Sequence, residues 1–160
     1  MIRQVTSMNR RWALYAPDAS TDEEYANYMK RVSLLRHTQG FYAGNWKNEE
    51  YRDFCGGILK FGDGGSLGAD AAIYALNSHG ETKKRGVGLR RVIRANFQAM
   101  AGTMLYLTFE GTDGKFYEAK VFVELDGSFD LEFIRPAVHY PNVDPDILRK
   151  YDCPPEYANY

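Results

Sequence analysis

The chain has 160 residues, 44% of them hydrophobic, with a formal net charge of -1, enough for one cored domain with extensions and too little for two ordinary ones. Near-neutral charge excludes strong global steering toward nucleic acid or an anionic membrane. No apolar run approaches the roughly 20 residues that span a bilayer and no signal-peptide core opens the chain, so an intracellular, cytoplasmic protein is expected, with organelle import left open by a basic leader.

That leader, residues 1–20, carries Arg3, Arg10 and Arg11 and ends in the linker-like Pro17-Asp18-Ala19-Ser20. Thr21-Asp22-Glu23-Glu24 then has the spacing of a helix capping box. The apolar residues Tyr25, Tyr28, Met29, Val32 and Leu35 follow at intervals of three and four, one buried stripe of a helix, and Gly40 is a natural stop. Such a helix must dock on something. Residues 21–65 therefore read as a helical extension ending in a glycine-rich connector, since six glycines fall between Gly56 and Gly68. Ile58–Phe61 is a candidate short strand inside it.

A second helix is expected over Leu67–His79, with Ser66 as N-cap, Gly80 past its end, and Ala69, Ala72, Ile73 and Leu76 on one face. Small alanines allow a helix to lie close to a sheet. From about Leu89 to Arg135 the pattern becomes two-residue alternation. Leu105, Leu107 and Phe109 alternate with Met104, Tyr106 and Thr108, while Tyr117, Ala119, Val121, Val123 and Leu125 alternate with Glu118, Lys120, Phe122 and Glu124. This predicts antiparallel strands covered on one side. Glu110–Gly114 and the hairpin signal Asp126-Gly127 supply turns, the latter leading to a last strand over Ser128–Arg135. Residues 66–135 thus read as the main domain. Five of the six prolines lie in 136–160, which makes the tail either an irregular strap or a disordered end.

Three segments carry a likeness to a known family. Gly68–Asn77, GADAAIYALN, resembles the Leu-Ala-Arg-Phe-Ala-Val-x-x-x-Asn helix of plant cystatins, with Ala69, Ala72 and Asn77 matching and Ile73 standing for the valine. Gln98-Ala99-Met100-Ala101-Gly102 resembles their Gln-x-Val-x-Gly hairpin. Leu105-Tyr106-Leu107-Thr108 followed by Tyr117-Glu118-Ala119-Lys120-Val121 is similar to a phytocystatin strand pair. The resemblance covers about 64–135. It implies an α+β, cystatin-like fold, one helix packed on an antiparallel β-sheet, here with an extra N-terminal helix and a Pro-rich C-terminal tail. It also implies a reversible, noncovalent inhibitor of papain-like cysteine proteases, not an enzyme, acting through a wedge of three segments without any cofactor.

In that wedge the implied protease-binding residues are Gln98, Ala99, Met100, Ala101 and Gly102, with Gly64 and Gly65 as the N-terminal glycine contact and Gly56-Gly57 as a competing pair. Met100 replaces the family's central valine, and the second hairpin lacks Pro-Trp, the only tryptophans being Trp12 and Trp46. A noninhibitory interaction or scaffold protein, using the N-terminal extension and the tail, is the alternative. The two separate on a steric point: residues 1–60 folded over the 98–102 turn would block a protease cleft.

Other chemistry has less support. Cys55 and Cys153 form neither a metal spacing nor a disulfide framework, and Cys55 lacks a helix N-terminus to lower its pKa for catalysis. His37, His79 and His139 are isolated. Asp63-Gly64-Gly65-Ser66 ahead of a helix lacks a phosphate-loop lysine. Lys83, Lys84, Arg85, Arg90, Arg91 and Arg94 form the strongest rival feature, a basic run with no acid between Glu81 and Glu110, but its ordinary meaning is a solvated face and nucleic acid is disfavoured. A papain-like protease or another protein is the expected partner, and no metal or membrane is.

Overall fold

The computed structural model describes residues 22–45 and 57–154. The basic leader, Thr21 of the capping box, Trp12, Trp46, Cys55 and Gly56 lie outside the described residues. Helix α1 spans Asp22–His37. Strand β1, Ile58–Lys60, is followed by α2, Gly65–Ser78, and by a five-residue helix α3, Gly80–Lys84. Then come β2, Leu89–Met100, β3, Gly102–Gly111, β4, Phe116–Val123, and β5, Phe129–Pro136. A short helix α4, Pro145–Lys150, starts at the Asp144 cap, whose carboxylate accepts from the Asp146 N–H. The strands form one five-stranded antiparallel sheet in the order β1-β2-β3-β4-β5. The sheet therefore begins at Ile58, ahead of the boundary that composition suggests at 66.

Helix α2 lies across the front of the sheet. Ala71, Ala72 and Ala75 are fully buried with Leu76, and the absence of larger side chains lets the helix approach Ala95, Leu105, Leu107, Phe109, Ala119 and Val121 in one core. The buried stripe is turned from the expected one, for Ile73 is 44% exposed and Gly68, Ala71 and Ala75 are inside. Ser66 does not cap the helix. Gly64 is the N-cap in a left-handed conformation, and the Asp63 carboxylate accepts from the Gly65 N–H at 2.9 Å.

The back of the sheet is covered as well, contrary to the one-sided sheet expected from alternation. Strand β3 is buried at both parities, from Met104 through Glu110. After α1 the chain turns at Gly40, whose N–H donates to the Leu35 carbonyl at 2.8 Å in a helix-terminating arrangement. Gly40 has φ +88°, and a Cβ there would sit 2.5 Å from the Tyr106 ring. The buried Asn96 amide donates to the Gly40 carbonyl at 2.8 Å, and Phe41 enters a cluster with Met104 and Tyr106. Turn and sheet are thereby locked at van der Waals distance.

A third cluster joins the two ends of the described chain. Leu34 and Tyr42 pack with Val143 and Cys153, and Ile147, Leu148 and Tyr151 border them. Lys30 bridges to Asp152 at 2.6 Å at its rim. Leu34, outside the predicted stripe, is the fully buried residue of α1. Glu118, which alternation places among outward polar residues, is fully buried on the back face. Arg135 donates to its Oε2 from Nε at 3.1 Å and Nη2 at 2.9 Å, while the His139 N–H donates to Oε1 at 2.9 Å. These bonds satisfy a carboxylate that burial would otherwise penalise by several kcal/mol (roughly), and they strap the tail to the sheet.

Candidate functional site

The β2–β3 hairpin is tight because its register runs to the tip: Ala99 pairs with Thr103 and Met100 with Gly102, leaving Ala101 as a single-residue turn. Ala99, Met100 and Ala101 are exposed, and Met100 presents 58% of its surface. Gly102 has φ +127°, and a Cβ on it would lie 2.5 Å from the Phe122 ring and 2.6 Å from the Val123 carbonyl oxygen. Only glycine fits this backbone against β4 without displacement. Gln98 sits at the hairpin base, its Oε1 accepting from the Tyr106 hydroxyl at 3.0 Å. Burial, opposed by nearby Lys120, raises the Tyr106 pKa and keeps that hydroxyl a donor.

Two further segments share this end of the sheet. Thr103 pairs with Val123, so the β4–β5 turn follows directly beside the first hairpin. It is closed by Glu124 N–H to the Ser128 carbonyl at 2.8 Å and Gly127 N–H to the Glu124 carbonyl at 2.9 Å. The Asp126 carboxylate accepts from the Ser128 N–H and hydroxyl, and these bonds hold its pKa below the usual carboxylate range. Leu125 projects from this turn, 86% exposed. Alternation alone places Leu125 in β4, which ends at Val123; its position beside Asp126-Gly127, a turn signal, is the clue to its exposure. On the other flank, Ile58 pairs with Gln98, and a Cβ on Gly57 would lie 3.7 Å from the Gln98 amide nitrogen.

Gly64 and Gly65 are elsewhere. A Cβ on Gly64 would meet Gly68 Cα at 2.9 Å and Ala95 Cβ at 3.0 Å, which places this pair at the start of α2, five residues down β2 from Met100, or about 17 Å of strand rise. Gly64 serves the close approach of helix to sheet, whereas nothing lies within 4 Å of a Cβ on Gly65. Gly57 holds the flanking place by the hairpin.

No protein-family model matches the chain. A 56-residue segment is 41% identical to cystatin-1 of Zea mays, covering 33% of this chain and 42% of that protein. The similarity is to plant cystatins. A 56-residue segment is also 34% identical to cysteine proteinase inhibitor 3 of Arabidopsis thaliana, covering 33% of this chain and 45% of that protein. The chain thus spans less than half the length of the cystatins it matches, and the likeness is partial.

Four of the six cations in the basic run are engaged within the fold, while Lys83 and Lys84 are exposed at the end of α3. Arg90 Nη1 donates to Glu110 at 3.1 Å and Arg91 Nε at 2.8 Å, bonds that hold Glu110 below the usual carboxylate range, Arg91 contributing first. Arg85 meets Asp113 at 3.2 Å and Tyr117 at 3.1 Å. Arg94 donates to the His139 carbonyl and lies over the Tyr42 ring. The acids come from the adjacent strand and turn, where a linear reading does not find them. The neighbouring aromatics offer no open stacking surface, Tyr106 being buried and Phe122 half-buried. Among the described residues no cluster of three His, Cys, Asp or Glu side chains is arranged to hold a metal.

Proposed function

We propose that this chain is a reversible, noncovalent inhibitor of papain-like cysteine proteases, binding through the hairpin at Gln98–Gly102. The observation that carries the reading is the exposure of Met100 at the tip of a hairpin whose partner turn presents Leu125 at the same end. Two apolar side chains on adjacent rigid turns, flanked by Gly57, form an edge suited to a recessed apolar cleft. Gly102 supports it by bringing the hairpin backbone flush against β4. Leu125 takes the place of the aromatic anchor that the second turn lacks. No group in the wedge performs chemistry, so the occupied cleft is simply closed to substrate.

The described part of the N-terminal extension leaves this edge open. Residues 22–45 pack behind the sheet through Phe41 and against the tail through Leu34, while Met100 remains exposed. The same packing buries Leu34 and Leu35 of α1 and Val143 and Cys153 of the tail, which favours a structural role for these residues over the alternative of an interaction module built on those segments.

Titration of papain activity with the purified chain tests the proposal. Inhibition should weaken by at least about 30-fold, a 2 kcal/mol hot-spot loss, in Met100→Asp. Met100→Asp alters an exposed side chain and keeps the fold, whereas Gly102→Arg, the obvious alternative, would also disturb Phe122 and Val123. Absence of inhibition by the unmodified chain at tens of micromolar, about the −6 kcal/mol scale, would sink the reading and move the function to a noninhibitory binding module.

A further inference from the structure

We infer that the groove between α1 and the back of the sheet is a binding site for a small amphipathic carboxylate, with an apolar body and an anionic head. The groove has a volume of about 470 Å³, within the roughly 300–1,000 Å³ of small-molecule sites. Its floor is apolar and comes from three strands: Ile58 on β1, Tyr106 on β3 and Phe133 on β5. Val32 and Leu35 of α1 form the wall. These are rigid elements, held by the Asn96–Gly40 hydrogen bond and the Phe41 cluster, so the space is preformed.

Charge selects the ligand class. Arg36 and Lys120 line the groove and no carboxylate does. Lys120 is bridged to Glu132 at 2.9 Å, and Glu132 does not line the site. Arg36 is exposed at the last turn of α1 and makes no ion pair among the described residues. The groove therefore offers an apolar bed ending at an unneutralised guanidinium, whose planar donors suit a carboxylate. A neutral ligand would leave that charge unused, and a cation would be repelled.

The site is independent of the hairpin wedge in its test, because binding is read directly and not through protease inhibition. Decanoate is the probe, followed by isothermal titration and by two-dimensional NMR of the full chain, with decylamine as the cationic counterpart. Saturable submillimolar binding is expected, with shifts centred on Leu35, Ile58, Tyr106 and Phe133. Arg36→Glu should weaken it about tenfold or more, and decylamine should not displace decanoate. Arg36 is exposed, so the variant keeps the fold, which its unchanged spectrum away from the groove would show. The inference is overturned by absence of saturable decanoate binding, by shifts centred elsewhere, by equal affinity in Arg36→Glu, or by decylamine binding equally well.

Discussion

The Tyr106 hydroxyl on β3 donates to the Gln98 side-chain oxygen on β2 at 3.0 Å, tying the base of the exposed hairpin to the buried back face. Tyr106 itself is fixed by Gly40 and by an edge-on contact with Phe41, ring centroids 5.8 Å apart. The segment after α1 thus determines how firmly the hairpin is held. Tyr106→Phe keeps the ring packing and removes the hydroxyl. It should cost about 0.5–1.5 kcal/mol in urea unfolding and speed amide exchange at Gln98 and Ala99 relative to the far end of β2. Equal protection at Gln98 in both forms would show that the bond does not stabilise the hairpin.

Gly102 and Gly127 separate two reasons for glycine. Both have positive φ, +127° and +85°, but nothing lies within 4 Å of a Cβ on Gly127, while one on Gly102 collides with Phe122 and Val123. Alanine at Gly127 should cost only its conformational term, about 1 kcal/mol. Gly102→Ala carries the same kind of penalty plus the collision, for a total of about 2–4 kcal/mol. Thermal unfolding of the two variants side by side checks the order, and equal losses would rule out the collision as a cause.

The strands and the front helix were legible because alternation and small-residue spacing are local signals. Ala72 and Leu76 face the core as their spacing implies, and the hairpin at 98–102 was marked by its own residues. What escaped was set by distant partners. Alternation puts Met104 and Tyr106 on a second face but does not show what covers it; Phe41, more than 60 positions away, covers this one. Glu118 looks like a surface residue until Arg135 and His139 fold onto it. Order along the chain does not show that Gly57 lies beside Gln98 while Gly64 lies beside Ala95; the antiparallel register of β1, which runs away from the hairpin tip, sets both positions.

Stability should fall as pH drops through the range in which His139 titrates. Burial lowers its pKa below the usual 6.5, and Arg135, Arg94 and His37 act in the same direction against Glu118. These groups face it from β5, β2, α1 and β4 respectively. A histidine whose folded pKa is depressed binds its proton more readily in the unfolded chain, so its contribution is complete above about pH 6.5 and is lost as pH falls toward and through the folded value. Glu110, Asp113 and Asp126, all held low, lose their contributions only at more acidic pH. The difference between the parent chain and His139→Gln in denaturant midpoint, followed from pH 7.5 to about 5, isolates the histidine. Parallel curves would refute the assignment.

Leu34 tests whether the back layer is one cooperative unit. It is fully buried, with Tyr42 on its own side and Val143 and Cys153 contributed by the tail. Leu34→Ala opens a cavity among residues from both ends of the described chain and should cost about 2–5 kcal/mol if the layer unfolds with the rest of the domain. The smaller possibility is local release, in which the layer detaches at lower free energy than the sheet. Native-state hydrogen exchange distinguishes them. Because α1 and α4 share this cluster, the amides of Leu34–Tyr42 and of Ile147–Cys153 should lose protection together, with Leu105 and Leu107 less affected, and loss confined to one of the two segments would show that they are held separately.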